Sequence, residues 1–142
     1  MKFSKWPLLL IGSFLLSGAC SSDSNEPDTD ETTVSISTPS VTNVTDDKAN
    51  IIATITTNTP SAILKKGICY DTQSNPTISS RTVEMSSAGL SLNLTLSDLE
   101  PETKDYTKAF ATVANGNPVY SSEITFTTAS RSVTSELDKY IA

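Results

Sequence analysis

From residue 33 onward, apolar and polar side chains alternate with a period of two, the pattern of strands buried on one face. Val34-Ser35-Ile36 reads as a first strand. Pro39 interrupts it, which suits an edge position because proline lacks the ladder N–H, and Val41 to Thr45 continues it. Asp46-Asp47-Lys48 makes a turn. Ala49, Ile51, Ala53 and Ile55 then share one face, while Asn50, Thr54 and Thr56 share the other. Thr59-Pro60 ends that strand.

Leu64 to Tyr70 follows, with Ile68 and Tyr70 on one face and Lys65, Gly67 and Cys69 on the other. A polar loop through Asn75-Pro76 leads to a short strand over Thr82 to Ser86, turned by Ser87-Ala88-Gly89. Leu92, Leu94 and Leu96 give the clearest alternation in the chain. Leu99 to Thr103 forms a corner, and Tyr106 to Val113 a long strand. Asn115-Gly116-Asn117-Pro118 is a hairpin turn. Ser122 to Thr128 closes the sheet with Ile124 and Phe126 inward. The pattern predicts an all-β fold: a seven-stranded antiparallel sandwich of immunoglobulin-like type over residues 33–129.

The two ends depart from this pattern. Residues 1–19 pair a basic start (Lys2, Lys5) with the compact apolar stretch Pro7 to Leu16, closing on Ser17-Gly18-Ala19 before Cys20. That is the plan of a cleaved secretory signal, and the apolar run is about half the roughly 20 residues of a membrane-spanning helix. Residues 20–32 carry five acidic side chains, no basic one and no large apolar one. Such a segment has nothing to bury against the entropy of ordering and is expected to be a disordered tether with a reach of about 20 Å. At the other end, in residues 130–142, Val133, Leu137, Tyr140 and Ile141 fall on one face of a short helix, with Glu136 and Lys139 placed to suit its dipole.

Charge and composition narrow the function. Loss of the signal's two lysines leaves 8 basic against 16 acidic residues, a net charge of −8. Nucleic-acid binding needs a concentrated basic footprint, and Lys65-Lys66 is the one adjacent basic pair. The chain contains no histidine, the commonest general base and metal ligand. Cys69 lies inside a strand with no imidazole to activate it. Asp46-Asp47 and Glu100, Glu102 and Asp105 fall in turn-like stretches, and Asp28-Thr29-Asp30-Glu31 lacks the glycine and distal glutamate of a calcium loop. The expectation is a protein without catalytic residues, metal or cofactor.

Two resemblances add to this reading. Leu15-Leu16-Ser17-Gly18-Ala19-Cys20 resembles a bacterial lipobox, which implies acylation of Cys20; Ser17 departs from it, since lipoboxes usually carry leucine there. Lys66-Gly67-Ile68-Cys69-Tyr70, Asn75-Pro76-Thr77, Leu99-Glu100-Pro101-Glu102-Thr103, Ala109-Phe110-Ala111-Thr112 and Glu123 to Thr128 together resemble the fibronectin type III-like domains of Bacteroidota surface lipoproteins. The acidic run after Cys20 also resembles the surface-export signal of Bacteroidota-type lipoproteins, which implies, with a periplasm-facing anchor as the alternative, an outer-membrane lipoprotein facing the cell exterior. Its role would be a non-catalytic interaction or spacer module, with a glycan-binding accessory of a polysaccharide-uptake system or a subunit of a larger envelope assembly as alternatives. Its partners would be the membrane, through the lipid, and a protein or glycan. Such domains bury a corner tyrosine two residues after the threonine, where this chain has Asp105 and, one step later, Tyr106. Either the corner is rebuilt around Tyr106 by a one-residue shift, or it is lost. In the family's register Tyr106, Lys108 and Phe110 point outward beside Lys65 and Cys69, and this is the candidate binding face.

Overall fold

A computed structural model of the chain describes residues 31–114, 116–132 and 140–141. The expected signal segment, Cys20 and nearly all of the acidic tether lie outside the described residues, as does most of the expected C-terminal helix. A compact unit begins at Thr32, and it is a sandwich of two antiparallel sheets.

Nine strands are present among the described residues, where seven were expected: β1 Val34–Ile36, β2 Ser40–Thr42, β3 Ala49–Thr57, β4 Ile63–Asp71, β5 Arg81–Glu84, β6 Ser91–Leu96, β7 Lys104–Val113, β8 Pro118–Tyr120 and β9 Ile124–Thr127. In the first sheet β3 is central, pairing with β1 and β2 and with β6. In the second, β4 and β7 are central, with β5 on β4 and both β8 and β9 on β7.

The difference from seven arises at the two outer lines of the sandwich, and one chemical device produces both breaks. Between β1 and β2 the Thr54 N–H donates to the Ser37 hydroxyl at 2.9 Å, while Ser37 N–H donates to Thr54 O at 2.9 Å. Between β8 and β9 the Ala109 N–H donates to the Ser121 hydroxyl at 2.9 Å, and Ser121 N–H to Ala109 O at 2.9 Å. A side-chain oxygen replaces a ladder carbonyl in each case, so the pairing is held while the strand itself bends away. Pro39, which cannot donate to a ladder, completes the first break.

The core follows the alternation. Ala49, Ile51, Ala53 and Ile55 of β3 and Leu92 and Leu96 of β6 meet Ile68 and Tyr70 of β4, Ala109 and Ala111 of β7 and Phe126 of β9. Gly67 is required by close approach: a Cβ there would stand 2.2 Å from the Val83 carbonyl oxygen on β5. At the hairpin after β7, Gly116 has φ +89°, in the left-handed region that favours glycine.

The corner and the chain's last strand clasp one another. Thr128, 3% exposed, takes the Thr103 N–H at 2.9 Å and donates its hydroxyl to Glu100 O at 2.5 Å. Leu99 N–H reaches Asp47 O at 3.0 Å and Ala129 N–H reaches Thr45 O at 2.9 Å, so the β2–β3 turn is tied to the same clasp. The two most distinctive pieces of sequence, Leu-x-Pro-x-Thr and Phe-Thr-Thr, are two halves of one joint.

Candidate interaction surfaces

The register of β7 places Asp105, Thr107, Ala109 and Ala111 inward and Tyr106, Lys108, Phe110 and Thr112 outward. The corner tyrosine is therefore lost rather than shifted: Asp105 occupies the inward position and is 2% exposed, while Tyr106 stays on the outer face.

That outer face is not an open aromatic platform. Phe110 lies on the outer face as expected but is only 1% exposed, so it is packed rather than open to solvent. It lies opposite Gly67 on β4 and Tyr120 on β8, and with Cys69 and Pro76 it is fully buried outside the inter-sheet core. The cover is the chain's own β4–β5 loop. The Lys108 ammonium donates to Asn75 Oδ1, Asn75 N–H donates to the Glu123 carboxylate, and Ile78 N–H donates to Tyr120 Oη at 3.1 Å. Asn75 has φ +68°, a conformation asparagine tolerates better than most residues, and this bends the loop back over β7 and β8.

The cations of this face are committed as well. Lys108 stands 5.5 Å from the Tyr120 ring centroid and Lys104 stands 5.1 Å from that of Tyr106. Lys65, the most exposed of the four expected binding residues, pairs with Glu84 at 3.2 Å. The structure thus gathers Lys108, Phe110 and Tyr120 under one loop and leaves Lys65 apart, at the margin of a groove of about 550 Å³ lined by Pro60, Leu64, Lys66, Met85 and Ala88. Sequence alternation could not reveal Tyr120 and Asn75 as members of this cluster, because they meet Lys108 only through long-range folding.

Cys69 is chemically quiet. Its thiol sits beside Lys108 O at 3.6 Å, and burial pushes it up to about 11, only partly offset by the Lys108 charge. No cluster of metal-ligating side chains is present among the described residues.

The outer face of the first sheet differs in kind. Ser35, Ser40, Thr42, Asn50, Thr54, Thr56, Ser91, Asn93 and Thr95 point outward around Ile52, and no strand of this sheet contains a charged residue. Neighbouring side chains bond across strands: Asn50 Nδ2 donates to Thr42 Oγ1 at 3.4 Å, and Thr95 Oγ1 donates to Asn50 Oδ1 at 3.2 Å.

Comparison with known proteins places this architecture. No family model matches the chain, and no curated protein sequence does. Among solved structures, the chain is similar to the sensor domain of the anti-sigma factor RsgI4 of Pseudobacteroides cellulosolvens, with 23% identity and a TM-score of 0.53 over 69% of this chain and 96% of that one. It is also similar to a fibronectin type III domain of a human protein, with 20% identity and a TM-score of 0.50 over 70% and 89% of the two chains. The fold is that of a fibronectin type III-like domain: all β, in two antiparallel sheets.

Proposed function

We propose that this chain is a non-catalytic interaction or spacer module, held at the outer membrane through an acylated Cys20 and facing the cell exterior. The observation that carries the module reading is the closure of the second sheet's outer face. The chain's own loop engages Lys108 and Tyr120, and Phe110 and Cys69 are buried beside them rather than arranged around a cleft. A domain clasped at its corner and sealed on one face is suited to hold a fixed distance and present a fixed surface. The likeness to a sensor domain supports a binding or sensing role of the same general kind, although fold alone does not name a ligand.

The anchor is tested by feeding cells an alkyne fatty acid and comparing the full chain with Cys20→Ser. The full chain should carry the label and be removed from whole cells by external protease, while Cys20→Ser carries none. Equal labelling of the two would overturn the anchor, and protection of the labelled chain in intact cells would overturn its outward orientation.

A second reading, an accessory that binds neutral glycans, is favoured by the charge-free Ser/Thr/Asn face of the first sheet. Hydroxyls and amides supply donors and acceptors, and no ion there must be desolvated on contact. Glycan arrays probed with the full chain should show neutral polysaccharides retained and Thr54→Lys weakening them. Uniform silence across the array would leave the spacer reading and remove this one.

A further inference from the structure

Asp105 is the one described residue with a buried side-chain oxygen, Oδ2, that has no hydrogen-bond partner among the described residues. It stands on the inner face of β7 opposite Phe126 of β9, in the slot where related folds place a tyrosine. A buried carboxylate oxygen without a partner makes the charged form costly to hold. Burial pushes this carboxyl above its ordinary value of 3.8; Arg81 draws it back in part and Asp71 adds to the push.

Arg81 of β5 stands opposite Tyr70, which stands opposite Thr107, two residues from Asp105 on the same face of β7, and Arg81 is engaged elsewhere. The Arg81 guanidinium stacks 4.6 Å from the Tyr70 ring centroid, and its Nη2 donates to Asp98 O at 3.0 Å. Arg81 thereby ties the edge strand β5 to the turn that precedes β7. The surrounding elements contain few other charges. β4 contributes Tyr70 and Asp71 at this end, the corner carries Asp98, Glu100 and Glu102, and Lys104 and Tyr106 on β7 itself point outward. β9 has no titratable side chain, and the strands of the facing sheet have no charged one.

We infer that Asp105 and Arg81 form a proton-operated latch: with Asp105 protonated, Arg81 holds β5 to the Asp98 turn, and on ionisation the carboxylate draws Arg81 away from Asp98. The two arrangements exchange one charge-assisted hydrogen bond for another, so a single proton decides between them. The sign is fixed by the acid's chemistry. The folded domain keeps its proton at a pH where the unfolded chain has released it. Stability is therefore full below the ordinary carboxylate range, falls as pH rises through the folded-state titration, and is level above it.

The test is an NMR titration of the full chain in mild detergent, following the Asp105 carboxyl carbon, the Arg81 side-chain nitrogens and the Leu99 amide from about pH 3 to about pH 8. Asp105 should titrate above 3.8, with Arg81 and Leu99 shifting at the same midpoint. Arg81→Gln should move the Asp105 midpoint further up and abolish the Leu99 response. Asp105→Asn should leave Arg81 silent over this range and flatten the pH dependence of the urea midpoint. If Asp105→Asn does not fold, the wild-type and Arg81→Gln titrations decide the matter without it. Titration of Asp105 at or below 3.8, or an Arg81 that does not respond at the Asp105 midpoint, overturns the latch.

Discussion

The two sheets share one core and one way of breaking their outer strands, yet their outer faces are built on opposite chemistry. The strands β1, β2, β3 and β6 contain no charged residue, and their exposed side chains are hydroxyls and amides, of which Thr42, Asn50 and Thr95 bond to each other across the ladder. The strands β4, β5 and β7 carry Lys65, Lys66, Asp71, Arg81, Glu84, Lys104, Asp105 and Lys108. On the outer face Lys104 is engaged by a ring, Lys65 by a carboxylate, and Lys108 by a ring and a loop that folds back to meet it. A neutral polar face needs no such organisation because each of its groups is satisfied by water or a neighbour. The contrast teaches that the charged face is the internally consumed one, and the plain face is the one left available.

Substitutions that strike the sealed face should therefore cost far more than those on the neutral face. Phe110→Ala removes a side chain that is buried although it lies outside the main core, and should destabilise the domain by about 4 kcal/mol, as a core truncation does. Denaturant unfolding checks this; a loss below about 1 kcal/mol would mean that the loop does not seal the face. Gly67→Ala forces a methyl against the Val83 carbonyl and should cost about 3 kcal/mol through displacement of β5, visible as faster amide exchange along β5.

The shared serine device separates the sheets on burial alone. Ser121→Ala leaves the N–H of the fully buried Ala109 without its acceptor and should cost about 2 kcal/mol. Ser37→Ala affects the exposed Thr54 N–H, which water can satisfy, and should cost less than about 1 kcal/mol. Equal effects would show that the two breaks are not the same device in two environments. The smallest effect belongs to the neutral face: Thr54→Lys should stay within about 0.5 kcal/mol of wild type in thermal unfolding.

Much of this was legible in the sequence. Ala49, Ile51, Ala53 and Ile55 alternate without exception, and all four are buried. Leu92 and Leu96 are fully buried, with Leu94 packed against the core. The break between β1 and β2 was legible at Pro39, whereas the one between β8 and β9 was hidden, because Ser121 reads as an ordinary polar residue. The sealing of the second face was hidden for a different reason. Period two assigns Phe110 outward, correctly, but burial there depends on Asn75, Ile78 and Tyr120, which reach it through contacts between residues more than 30 positions apart. Asp105 shows the converse. Its position two residues after Thr103 marked it as the inward slot, yet only the structure shows that no donor among the described residues meets its buried Oδ2.

The sealed face is tested most directly by the reactivity of Cys69, which lies on the outer side of β4 and is 0% exposed. In the Cys20→Ser chain Cys69 is the one remaining cysteine, so maleimide labelling reads its access alone. Labelling should be slowed at least about 100-fold relative to the chain in denaturant, with the rate following unfolding. Labelling of the native domain within about tenfold of the denatured rate, with the fold intact, would contradict it.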